Sequence, residues 1–95
     1  MLRNFLTTNI IYEKDKISNS VVVTGEITNR SGKDYNAVVF RLVLFVREKP
    51  VGHAMMTING FSNNETKIFS KLVREADFRY ITQAARTEII PESAY

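Results

Sequence analysis

The sequence predicts an all-β domain of antiparallel strands, built as a sandwich or a small barrel. Three observations lead there. Apolar residues recur with a period of two rather than 3.6 along most of the chain. β-Branched residues dominate the apolar runs, which suits a pleated, half-buried surface. Clusters of turn-forming residues separate these runs at intervals of roughly 10–15 residues.

The elements follow in order. Leu6 to Tyr12 forms a first strand of irregular alternation. In Ser20 to Thr28, Val21, Val23, Gly25 and Ile27 share one face, and Val22, Thr24, Glu26 and Thr28 share the other. Gly25 inside this strand marks a bulge, or a neighbour too close for a Cβ. Asn29 opens a cluster of turn formers that runs to Asp34, where its side chain bonds local backbone groups.

Ala37 to Arg47 is the longest strand. Val38, Phe40, Leu42, Leu44 and Val46 line one face; Val39, Arg41, Val43, Phe45 and Arg47 line the other. The segment Glu48 to Gly52 reads as a tight turn around Pro50, and His53 to Ile58 pairs back as a hairpin partner. After a break at Asn59–Gly60 and Ser62–Glu65, Thr66 to Val73 alternates again. The tail has two readings. Phe78, Ile81, Ala85 and Ile89 fall at helical spacing, yet the same stretch reads as a loop at Arg74–Phe78 followed by a strand over Arg79–Ile90.

A length of 95 residues makes residues 1–95 a single domain, with an ordered core expected over about residues 6–90. Hydrophobic content of 44% and charged content of 24% exclude a disordered chain. The absence of cysteine excludes disulfides, zinc–thiolate sites and thiol catalysis. No apolar run of signal-peptide length follows Arg3. The longest mostly apolar run, Ala37 to Val46, is interrupted by Arg41 and falls well short of the ~20 residues that span a bilayer, so no membrane span is expected.

The segment Val23-Thr-Gly-Glu-Ile-Thr-Asn-Arg-Ser31 has the form V-x-G-x-x-x-N-x-S, followed by a polar turn and a long apolar strand. In this it resembles the FxLYD family. Gly25, Asn29 and Ser31 stand where that family places Gly, Asn and Ser. The family's own F-x-L-Y-D stretch falls on Leu42, Leu44, Phe45 and Val46, where Leu replaces Phe, Phe replaces Tyr and Val46 replaces the Asp. The resemblance spans Tyr12 to Ile89 and includes the turn Lys49-Pro-Val-Gly52 and the strand Thr66 to Phe69. It implies an immunoglobulin-like antiparallel β-sandwich of about seven strands, of the kind carried by prokaryotic proteins that are often exported or membrane-anchored. It favours a strand in the tail and brings no catalytic residues with it.

The residues offer little chemistry of their own. His53 is the one histidine, it opens a strand, and no nucleophile motif accompanies it. The carboxylate pairs Glu13/Asp15 and Glu75/Asp77 sit beside lysines and arginines that compete for the same oxygens, so neither reads as a calcium site. The four glycines are dispersed, and none opens a helix that could cradle phosphate. No enzymatic activity, cofactor or metal is expected. Asn29-Arg-Ser31 and Asn64-Glu-Thr66 match the N-glycosylation tripeptide.

Nucleic acid is the rival partner. A pI near 9.4 and the neighbours Phe40-Arg41, Phe45-Val46-Arg47 and Phe78-Arg79-Tyr80 suit a stacking platform. Against it, the 13 basic residues are interleaved with 10 acidic ones, and a net charge of +3 is a weak field for polyanions. The expectation is therefore a non-catalytic binding or structural module acting through protein–protein contact or self-association within a larger assembly. Its candidate contact residues are Val39, Arg41, Val43, Phe45 and Arg47, the outward row of the long strand. The competing expectation covers that row from within, by the tail after Ile90 or by the stems of Arg41 and Arg47.

Overall fold

A computed structural model describes residues 4–82 and 84–95. Six strands form two three-stranded antiparallel sheets. They are β1 (Phe5–Lys14), β2 (Ser20–Asn29), β3 (Tyr35–Val46), β4 (Lys49–Phe61), β5 (Thr66–Asp77) and β6 (Ala85–Ala94). One sheet has the order β1–β2–β5 and the other β4–β3–β6. The five strand segments read from the sequence become β1 to β5 and the tail supplies β6, so the sheets hold six strands and not about seven. Among the described residues no helix is long and apolar enough to cross a membrane.

The core lies between the sheets. Val21, Val23 and Ile27 from β2 face Val38, Phe40, Leu42 and Leu44 from β3, all fully buried. Phe61 from β4 and Phe69 and Val73 from β5 complete it. The central strand of each sheet supplies the most buried rows because it alone has neighbours on both sides. Near one end Phe5 packs edge-on against Phe40 with ring centroids 5.2 Å apart, and lies 5.7 Å from Phe61.

Gly25 and Gly52 are close-approach glycines. A Cβ on Gly25 would stand 2.6 Å from Ile10 Cδ1, and one on Gly52 would stand 2.5 Å from Val73 Cγ1. The first lets β2 pack under β1 and Phe69; the second lets the edge strand β4 meet β5 across the core.

Asn29 bonds the backbone of the turn that it opens, as its sequence context suggests, and the structure adds a burial that the sequence does not show. It ends β2 and is completely buried. Its amide Nδ2 donates to the carbonyls of Lys33 at 2.9 Å and Phe61 at 3.1 Å. Its Oδ1 accepts from the Ser31 N–H at 2.9 Å and the Ser31 hydroxyl at 2.6 Å. This occupies the full capacity of the side chain. The same bonds leave the Asn29 tripeptide without a free amide, whereas Asn64 is exposed.

Two strand features differ from the sequence reading, each for a local reason. The turn between β3 and β4 is Arg47–Glu48, with φ of 52° and 64°, not the segment around Pro50. Pro50 sits inside β4, an edge strand that tolerates a missing donor, beside an irregularity in the β3–β4 register. β1 alternates poorly because Asn9, with φ of 57°, makes a bulge: Phe5 and Thr7 pair on the core side before it, and Tyr12 after it.

The tail resolves as a strand. β5 continues to Asp77, a single 3₁₀ turn spans Phe78–Tyr80, and β6 follows. Phe78 and Ile81 pack on the core from the turn and Ile89 from the strand, so their helical spacing is satisfied without an α-helix.

Two stability measurements check this core. Phe40→Ala is expected to cost about 3–5 kcal/mol in urea unfolding. Asn29→Ala is expected to cost at least about 2 kcal/mol, because buried carbonyls lose their donors; a loss below about 0.5 kcal/mol would mean that water replaces the amide.

Candidate interaction face

The outer face of β4–β3–β6 holds the candidate residues. Antiparallel register sets Val39, Arg41, Val43 and Phe45 down the middle. On the β4 side they lie opposite Thr57, Met55, His53 and Pro50, and on the β6 side opposite Ser93, Ile90, Glu88 and Arg86. Val39, Val43 and Phe45 are half-buried and Arg41 is exposed. Arg47 departs from this row: it is the first residue of the turn, and its positive φ takes it off the strand.

Of the expected internal covers, the tail does not lie over the row and Arg47 stands in the turn. The residues after Ile90 pair edge-on with β3 as the end of β6, rather than lying across it. The group over Phe45 is Arg86, whose guanidinium carbon is 4.2 Å from the ring centroid. Arg86 is fixed from both sides: Nη2 and Nε bond Glu48, the shortest at 2.8 Å, and Nη1 bonds Glu88 at 2.7 Å. These hydrogen bonds hold the Glu48 carboxyl below its ordinary value and push the Arg86 guanidinium further up. Only the register of β6 on β3 brings Arg86 opposite Phe45; their wide separation along the chain hides this in the sequence.

Arg41 is paired as well, with Glu92 at 3.5 Å. His53 Nδ1 stands 3.2 Å from Glu75 across the gap between the sheets. Beside this pair lies an open hollow of about 450 Å³, lined by Arg41, Val43, Val51, His53 and Glu75. Met55, opposite Arg41, leaves 47% of its surface exposed. The face thus has an apolar centre framed by ion pairs.

The other candidates disperse. Asp15 accepts from the Ser18 hydroxyl at 2.8 Å and Asp77 binds Arg79 at 2.6 Å. Among the described residues no three His, Asp or Glu side chains come together in a way that could hold a metal ion. Of the aromatic groups beside cations, Phe40 is in the core and Phe45 lies under Arg86, while Tyr80 is 68% exposed.

The carboxyls of Asp15, Glu48, Glu65 and Asp77 are all held low, chiefly by hydrogen bonds from Ser18, Arg86, Ser62 and Arg79. A carboxyl depressed in the folded state stabilises it above the unfolded value and loses that contribution as pH falls through the folded value. Thermal stability is expected to be flat at neutral pH and to fall below the ordinary values of 4.5 for Glu and 3.8 for Asp. In Glu48→Gln the fall should be smaller; an unchanged acid limb in differential scanning calorimetry would show that the Arg86–Glu48 pair contributes nothing.

Comparison of the chain with family models, with characterised proteins and with solved structures finds no match.

Proposed function

We propose that this chain is a non-catalytic, immunoglobulin-like sandwich module of the FxLYD kind, and that it binds protein through the outer face of β4–β3–β6. The observation that carries the reading is the row Val39, Val43 and Phe45 on the central strand, half-buried and framed by Arg41–Glu92, Arg86–Glu48 and Arg86–Glu88. An apolar centre within a charged rim is the anatomy of protein contacts, and arginine and aromatic groups are enriched there. The outer face of β1–β2–β5 is built differently. Thr8, Thr24, Thr28, Thr66 and Ser70 populate it, and Thr28 and Thr66 share a hydrogen bond of 2.7 Å. Its apolar groups are divided: Leu6 and Ile11 lie opposite threonines, Ile68 lies opposite Glu26, and Val22 and Leu72 pair with each other.

Area sets the strength of the contact. Three strands about 4.8 Å apart and ten residues long cover roughly 15 by 30 Å, or about 450 Å². That is about half of the ~800 Å² that each partner contributes to a standard interface. The contact is therefore weak in isolation and gains from repetition or from a larger assembly. A nucleic-acid platform has less support, since Phe40 has no exposed face on which a base could stack.

The test is the double variant Phe45→Glu with Val43→Thr, followed by sedimentation at high concentration and by thermal melting. With the face as contact, the variant keeps its fold and loses self-association or partner binding. A variant that unfolds shows the row to be internal packing, and a wild type that binds neither itself nor any protein overturns the reading.

A further inference from the structure

We propose that the end of the molecule formed by the β1–β2, β3–β4 and β5–β6 connections docks on the surface of an anionic lipid bilayer, with Ile17 and Tyr80 as the inserted side chains. Strand direction puts these three connections at one end, and hydrogen bonds hold them together. The Phe78 N–H donates to the Asn19 carbonyl at 2.6 Å, and the Arg47 N–H to the Ala84 carbonyl at 3.3 Å. Asn4 and Tyr95 are bonded at the opposite end, to Arg30 and Asn36, so neither lies across this one.

Two large side chains there are mostly exposed, and Tyr80 is covered in part by Arg79, whose guanidinium carbon is 5.9 Å from its ring centroid. Ile17 is 94% exposed and Tyr80 is 68% exposed. Each follows a cation, Lys16 and Arg79. A β-branched aliphatic residue at a loop tip is unfavourable in water but suits the headgroup–acyl boundary, and a tyrosine suits the interface just above it.

The charges around them have a direction. Lys14, Lys16, Arg47 and Lys49 belong to these connections or border them, and none is paired with a carboxylate among the described residues. Of the acids at this end, Glu48 and Asp77 are neutralised by Arg86 and Arg79, while Asp15 is bonded by the Ser18 hydroxyl and keeps its charge, against the four cations. Glu13 likewise has no ion pair among the described residues, which leaves the four unpaired cations in excess of two uncompensated acids. A few free cations around two apolar tips match a layer of anionic headgroups. Their number implies reversible docking and not a permanent anchor.

The experiment uses the whole chain and vesicles of phosphatidylcholine, with and without one-third phosphatidylserine. Sedimentation should show binding to the anionic vesicles at least about tenfold stronger than to the neutral ones, and weaker in high salt. Ile17→Asp and Lys16→Glu should each weaken it severalfold with no change in melting temperature, since both side chains face solvent. Lys33→Glu, at the opposite end, should leave it unchanged. The chain contains no tryptophan, so Tyr80→Trp provides a single reporter whose emission should shift to the blue on anionic vesicles. The proposal fails if the wild type stays in the supernatant, if Ile17→Asp binds as the wild type does, if Lys33→Glu weakens binding equally, or if the indole emission of the Tyr80→Trp variant stays fixed.

Discussion

The arrangement depends most on the buried amide of Asn29. It stands where the chain leaves one sheet for the other, and its side chain reaches both the turn ahead, through Ser31 and Lys33, and the end of β4, through Phe61. Its backbone completes the junction: the N–H donates to the Glu65 carbonyl at 2.9 Å, and its carbonyl accepts from Asn64 at 2.6 Å. One residue thus ties two of the three crossings between the sheets, β2 to β3 and β4 to β5. A buried polar group is tolerated only when every donor and acceptor is used, so this junction has few alternatives.

The two open sides of the layered structure are closed by different means. On one side the Tyr12 and Thr87 hydroxyls share a hydrogen bond of 2.9 Å between β1 and β6. On the other, Gly52 of β4 packs against Val73 and Ala76 of β5, and His53 meets Glu75. All four edge strands carry features that discourage further pairing. β1 has the Asn9 bulge, β4 has Pro50, and β6 has Pro91 next to a register shift. β5 places Lys67 and Lys71 on its core side, opposite Ile27 and Val23. With edges so protected, contacts with other molecules fall to the sheet faces and the connections.

Charge is divided between these surfaces in a way that the net value of +3 conceals. The frame of the β4–β3–β6 face contains Arg41 and Arg86 with Glu48, Glu75, Glu88 and Glu92, two cations against four carboxylates. The remainder of the chain then has 11 cations and 6 carboxylates, from totals of 13 and 10. The acid-framed apolar face and the cation-bearing loop end meet at the Arg47–Glu48 turn, where Glu48 belongs to both.

The sequence by itself determined the strands and the inward faces of β2 and β3, because a period of two in β-branched residues reports which side of a pleat is buried. It also determined that thiol and disulfide chemistry are absent. Tertiary structure decided the rest. A local pattern shows a side and not a partner, so the pairing of Leu44 with Gly52, which moved the turn from Pro50 to Arg47–Glu48, lay outside it. Bulges erase the pattern altogether, as Asn9 does in β1. The turn role of Asn29 was legible in its polar context, but its bond to Phe61 of β4 and its burial were not. Phe45 and Arg86 meet by register across β3 and β6, and Ile17 and Tyr80 share an end because β1–β2 and β5–β6 connect on the same side. Such juxtapositions arise from long-range pairing, which no short window of sequence contains.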